Sequence, residues 1–214
     1  GENVQIERGF PVQGGDINKS YGIQLSNGNL LFMKSNEKSK VDFFVKEAHN
    51  LKAIAKTNTI ATPKILGFGT EDGEEVGYSF LLLDFVELGN LDANFWENFA
   101  ETLGNMHKST TEAFISKEDL AEGKIFGFYE DNYIGKTKQI NSPKKTWVDF
   151  FRENRLAPQF KMAEKYFSTE DSKLIDKLLD NLADFLIEPR SPSLLHGDFW
   201  AGSVMCDTKP QAML

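Results

Sequence analysis

The sequence predicts an α+β chain of two lobes: an antiparallel sheet with one helix over residues 1–88, then a mainly helical lobe over residues 89–214. Three observations predict it. Apolar residues in the first part fall in short strand-like runs, two of them separated by Asn27-Gly28, the strongest short-range hairpin signal. After Gly89 the apolar period changes from two to 3.6. Near the C-terminus, His196-Gly197-Asp198 sets a carboxylate in a glycine-flanked turn between two apolar segments.

The first lobe opens on Gly14-Gly15-Asp16-Ile17-Asn18, which leads into the alternating segment Tyr21, Ile23, Leu25. The chain turns at Ser26-Asn27-Gly28-Asn29 and resumes as Leu30-Leu31-Phe32-Met33-Lys34, so the second strand of the hairpin delivers Lys34. Glycine lets a backbone approach a phosphate and aim N–H groups at it, and a lysine on the following strand can neutralise the phosphate oxygens. The segment is neither a Walker A loop nor a dinucleotide fingerprint, and a hairpin with a solvated lysine is the plain alternative. Ser39-Lys40-Val41-Asp42 is a capping-box-like start for a helix whose apolar face is Val41, Phe44, Val45, Ala48, Leu51 and Ala55. Glu47 shares a flank with Leu51 and Ile54, so its carboxylate is expected at the inner border, where Lys34 can meet it. Thr62 to Gly69 reads as a strand. Tyr78 to Val86 reads as another, apolar enough to be buried on both faces. The composition shift at Glu87-Leu88-Gly89-Asn90 marks the lobe boundary.

In the second lobe, Phe95, Phe99, Leu103 and Met106 share one helix face. A helix beginning with Trp147, Phe150 and Phe151 is expected to close near Pro158, and Leu174, Leu178, Leu182 and Leu186 line a third that stops before Pro189. These stripes predict core packing. His49 and His107 read as solvated and core or helix-end residues, and three scattered histidines with one cysteine make no zinc constellation.

Composition narrows the partners. Lys plus Arg number 24 against 32 Asp plus Glu, a net charge of −8 that argues against nucleic acid or an anionic membrane. The single cysteine, Cys206, suits a reducing compartment and reads as an inert small hydrophobe. No apolar run is long enough to span a membrane and no signal-peptide pattern leads the chain, so a cytoplasmic protein is expected, of undetermined oligomeric state.

Phosphoryl-transfer enzymes of the protein-kinase architecture place an Asp in a loop such as 196–203 to accept the substrate hydroxyl's proton, with a metal-binding side chain a few residues later. Asp198 fits the first role and Ser203 occupies the second. His196 is expected to order the loop through a hydrogen bond, Phe199 to anchor it, and Trp200 to pack against the substrate. By the same architecture Lys34 would hold the α and β phosphates of ATP, Glu47 would fix Lys34, and the backbone of Asp84, Phe85 and Val86 would receive adenine. An ammonium at 34 and a carboxylate at 198 are thus expected to converge on one triphosphate in a cleft between the lobes.

These parts, with the segment Phe126 to Gly135, the run Trp147 to Leu156 and the tryptophan after His196-Gly197-Asp198-Phe199, resemble the fructosamine kinase (ketosamine 3-kinase) family almost end to end. The resemblance implies a protein-kinase-like two-lobed fold that transfers the γ-phosphate of ATP, with Mg²⁺, to the 3-hydroxyl of a ketosamine. That substrate would be a small molecule or a glycated lysine of a protein, and the activity one of deglycation repair. It singles out Asn132 for the substrate side, and Gly14, Gly15, Asp16 and Asn18 for the phosphates. Two departures stand against the family pattern. Ser203 replaces the usual metal-binding Asn, and the expected Ile-Asp-Pro after Leu214, whose Asp is the principal metal ligand, lies beyond the sequence. The chain therefore reads as truncated at both ends, a poor enzyme as written, with Gln211-Ala212-Met213-Leu214 an unfinished strand exposing an apolar edge. The alternatives are a non-catalytic nucleotide-binding protein of the same fold and a kinase for another small hydroxyl compound, such as an aminoglycoside or choline.

Overall fold

The computed structural model describes residues 4–13, 17–71 and 77–214. Contacts divide the chain into two compact units, Gly1–Lys108 with Leu195–Leu214, and Ser109–Leu194. Residues 88 and 89, where the composition shifts, lie within the first unit.

The first unit is built on five antiparallel strands, β1 (Ile6–Pro11), β2 (Lys19–Leu25), β3 (Leu30–Glu37), β4 (Ile65–Thr70) and β5 (Tyr78–Asp84), in the order β1-β2-β3-β5-β4. The hairpin at Asn27-Gly28 joins β2 to β3. Gly28 takes φ +85°, its N–H donates to Leu25 O at 2.9 Å, and the Leu25 N–H donates to Asn29 O at 2.9 Å. This is a three-residue loop whose left-handed position suits a residue without Cβ. Strand β1 has no strong sequence signal, because its residues are almost all exposed.

Helix α1 (Val41–Lys56) packs against β4 and β5. Phe44 and Ala48 meet Leu81 and Leu83 in a core flanked by Phe32, Leu51, Ile65 and Phe68. Complete burial of Phe44 and Leu81 contributes about 1.5–3 kcal/mol each. The apolar face is as read except at Ala55, which is exposed, while Ala53 and Ile54 are buried. The expected capping box does not form. Lys38–Lys40 makes a 3-10 turn and Lys40 is the N-cap, without a side-chain cap. Ser39 sits inside that turn and so lacks the extended backbone a capping serine needs. Strand β5 is not buried on both faces either. Ser79, Leu81 and Leu83 are buried, whereas Phe80, Leu82 and Asp84 are half-buried, because α1 covers one side of an antiparallel sheet. Helix α2 (Phe95–Lys108) buries Phe95, Phe99 and Met106, as its spacing predicts.

In the second unit, Ser116 caps the short α3 (Lys117–Ala121), and β6 (Asn132–Ile134) pairs with β7 (Thr137–Gln139) across Gly135. The helix from Trp147 does not close near Pro158. It runs as α4 (Trp147–Phe151), a π turn (Arg152–Leu156) and α5 (Ala157–Met162). Pro158 lies in the first turn after the π segment, where the ladder is already interrupted and a missing N–H costs little. Helix α6 (Thr169–Asp180) carries a true capping box, with Asp171 N–H on Ser168 Oγ at 3.1 Å and Ser168 N–H on Asp171 Oδ2 at 2.9 Å. The bond from the Ser168 backbone holds the Asp171 carboxyl below its ordinary pKa. The leucine stripe is core only in part. Leu182 is buried and Leu174 is exposed, because α6 ends at Asp180 and a 3-10 turn at Leu182–Asp184 changes the phase.

The chain returns to the first unit through β8 (Met205–Cys206), paired with β9 (Ala212–Met213). The expected exposed edge is absent: Ala212, Met213 and Leu214 are all buried. Met213 bridges Ala61, the Leu214 N–H donates to Ala61 O at 3.0 Å, and β9 packs on α2. The loop before β4 supplies the partner that the sequence pattern does not reveal. Among the described residues no helix is long and apolar enough to cross a membrane.

Candidate active site

The sheet register explains how Lys34 reaches Glu47. Phe32 lies opposite Leu83 and Lys34 opposite Leu81, and Leu81 and Leu83 face α1. Alternation along β3 therefore turns Lys34, like Phe32, to the helix side. On α1, Glu47 precedes buried Ala48 and follows buried Phe44 by three positions. Lys34 Nζ donates to Glu47 Oε1 at 2.5 Å, with the two side chains 29% and 31% exposed. A lysine otherwise free to rotate about a four-carbon stem is thus held at one place on the sheet.

Gly14, Gly15 and Asp16 lie outside the described residues. The segment that follows them is tied to the lysine strand by a residue the sequence reading missed. Asn36 Nδ2 donates to Asn18 Oδ1 at 2.7 Å and to Ile17 O at 3.2 Å. Asn36 stands two positions after Lys34, and only the β2–β3 register brings it to Asn18; no local motif could have announced it. At the end of β5, the Asp84 carboxylate accepts the Lys64 N–H at 2.6 Å and the Asp84 N–H donates to Lys64 O at 3.0 Å. Asp84 therefore closes the strand end, and Phe85 and Val86 leave the ladder as half-buried connector.

The loop carrying Asp198 is fixed by packing. Gly197 takes φ +86°, a conformation that suits glycine. Phe199 stacks on Phe99 of α2, centroids 5.8 Å apart, and meets the His196 ring edge-on at 6.2 Å. The Nδ1 atom of His196 is buried without a hydrogen-bond partner, while the imidazole interacts with the backbone of Asp198 in the same loop. Burial pushes the imidazole pKa down, opposed by the charge and backbone of Asp198. Asp198 itself is exposed. Trp200, 65% exposed, starts the 3-10 turn Ala201–Ser203, and Ser203 Oγ donates to Asp198 O at 3.3 Å.

Asn132 belongs to the second unit, in a polar network. Its Oδ1 accepts from Asn141 Nδ2 at 2.9 Å, and Asn141 Oδ1 accepts from Arg155 at 2.7 Å. Asn154 Nδ2 donates to Ser142 O at 2.8 Å. Asn141 and Asn154 are buried, and burial lowers the Arg155 pKa. The motifs 126–135 and 147–156 therefore converge on this network through Asn132, Asn154 and Arg155.

For a triphosphate, a fixed ammonium at Lys34 is a fitting partner. For a divalent metal the described residues fit less well. None forms a group of three or more His, Cys, Asp or Glu able to hold an ion, and Ser203 offers one hydroxyl turned to a backbone carbonyl.

The fructosamine kinase family model matches residues 1–214. The probable ketoamine kinase of Vibrio cholerae serotype O1 is 33% identical over 208 residues, covering 95% of this chain and 65% of that protein. The chloroplastic protein-ribulosamine 3-kinase of Oryza sativa subsp. indica is 31% identical over 218 residues, covering 100% of this chain and 59% of that protein. A crystal structure of a candidate fructosamine-3-kinase from Haemophilus somnus 129PT superposes with a TM-score of 0.78 at 25% identity, over 98% of this chain and 65% of that one. The chain spans less than two thirds of the length of these relatives. Matched along all its residues, the chain belongs to the fructosamine kinase family.

Proposed function

We propose that this protein is an ATP-dependent kinase that phosphorylates the 3-hydroxyl of ketosamines, the fructosamine or ribulosamine adducts of lysine and small amines, as a cytoplasmic repair of glycation. The single observation that carries it is the Lys34–Glu47 pair at 2.5 Å, an arrangement that protein-kinase-type phosphotransfer requires. The names of the relatives, ketoamine kinase and protein-ribulosamine 3-kinase, supply the substrate class. In this mechanism Gly14, Gly15, Asp16 and Asn18 cover the phosphates, Lys34 neutralises the α and β oxygens, and the connector at Asp84, Phe85 and Val86 presents its backbone to adenine. Asp198 takes the proton of the sugar hydroxyl as its oxygen bonds to the γ-phosphorus and the bond to the β–γ bridging oxygen breaks, releasing ADP. Trp200 packs against the sugar, and Asn132, singled out by the family resemblance, is the second unit's candidate for substrate recognition. Mg²⁺ belongs to this reading as the family's cofactor, where it would neutralise phosphate charge, and Ser203 would be its candidate ligand in this chain.

The test is ADP formation by the complete gene product with ribulosyl-lysine, fructosyl-lysine and an aminoglycoside in parallel, with Asp198→Asn as control. Ketosamine-dependent turnover that falls about 10²- to 10⁴-fold in the variant is expected for loss of a positioned base. Turnover on the aminoglycoside alone would move the protein to another acceptor. Nucleotide binding without turnover on any acceptor would make it a binding protein.

A further inference from the structure

An indole exposed to solvent is conformationally loose, and ordering it against a ligand costs entropy unless the protein has already ordered it. Trp200 is 65% exposed, yet its ring lies down on the loop, across Gly202. A Cβ at position 202 would stand 2.5 Å from Cζ2 and 2.9 Å from Cζ3 of the indole, closer than side-chain carbons pack. The glycine is not there for its backbone. Its φ is outside the left-handed set, which among the described glycines comprises Gly28, Gly123, Gly135 and Gly197, and it sits inside the 3-10 turn Ala201–Ser203. An L-residue can adopt that conformation. What alanine cannot do there is leave the ring in place. The Ser203 N–H closes the turn on Trp200 O at 2.9 Å, so glycine and indole belong to one small, locally bonded element that begins two residues after Asp198.

We propose that Gly202 is a positioning residue for substrate selection: by lacking a side chain it seats the Trp200 indole as a pre-ordered apolar face beside Asp198, against which the carbon face of the sugar amine packs. This rests on the ketosamine kinase function proposed above. Pre-ordering acts on the sugar and not on the nucleotide, so its loss separates the two Michaelis constants.

The experiment compares the wild type, Gly202→Ala, Trp200→Ala and the double variant of the complete gene product. Gly202→Ala is expected to raise KM for the ketosamine about three- to tenfold, the scale of one aromatic contact. KM for ATP and the melting temperature should hold, and the substitution should add nothing in the Trp200→Ala background. Equal rises in both KM values, or effects of the two substitutions that multiply, would overturn it. A second readout needs no substrate: the difference in fluorescence between the wild type and Trp200→Phe isolates Trp200, and the same difference is taken in the Gly202→Ala background. A red-shifted, more readily quenched Trp200 supports the seating, and an unchanged difference spectrum overturns it. Should the wild type turn over no ketosamine, the kinase function falls, while the fluorescence comparison still decides whether Gly202 seats the indole.

Discussion

Glu47→Gln removes one charge and almost no volume, so it separates what the Lys34–Glu47 pair does for folding from what it does for phosphotransfer. The pair is 2.5 Å long and its side chains are 29% and 31% exposed. Partly exposed ion pairs contribute about 0–1 kcal/mol to stability, and glutamine can still accept a hydrogen bond, so the melting temperature should fall by a few degrees at most. The effect on turnover should be of another order. Without the carboxylate the Lys34 ammonium is no longer held at one point on the sheet, and loss of one pre-ordered electrostatic partner of a transition state costs about 10²–10³ in kcat. Steady-state ADP formation at saturating ketosamine, with ATP varied, gives kcat and KM for the variant; differential scanning fluorimetry gives its stability. If turnover stays within about threefold, a change far below that catalytic scale, while the melting temperature drops sharply, the pair is a structural contact and the catalytic role of Lys34 is wrong.

Two further outcomes are expected. Arg155→Met should leave the buried Asn141 Oδ1 without the donor it has at 2.7 Å, lowering stability by about 1–3 kcal/mol in urea titration at unchanged m-value; a loss below about 0.5 kcal/mol, the scale of a neutral surface change, would show the network to be unimportant. Burial holds the His196 pKa below its ordinary value of 6.5, so the unfolded chain binds a proton at a pH where the folded one does not. The associated stability is fully present above pH 6.5 and is lost as pH falls through the window below it. Chemical denaturation from pH 7 downward should show this decline, reduced in His196→Gln; identical slopes would reject it.

The site was most legible where one helix face or one turn carries the information. Asn27-Gly28 announces the hairpin because a left-handed residue is needed there, and Glu47 could be aimed at Lys34 because α1 has one clear apolar flank. Long-range pairing was not legible. Asn36 meets Asn18 only through the strand register, and Ala212 to Leu214 find cover on Ala61 and α2 across a separation no periodicity reports. Local rules also failed where two of them competed. Pro158 signals a stop, but the π turn before it absorbs the missing donor. Ser39 signals a cap, but a 3-10 turn takes its place. Gly202 gives no turn signal at all, since its use is to make room.

The bridge from Ala61 to Met213 has a consequence for biosynthesis. The sheet-bearing unit includes residues translated after the whole of Ser109–Leu194, so the ribosome delivers the inserted unit, with its own hairpin and helices, while its host still lacks β8 and β9. During that interval the surfaces destined for Ala212, Met213 and Leu214 stand bare, the state in which a nascent chain depends most on chaperones.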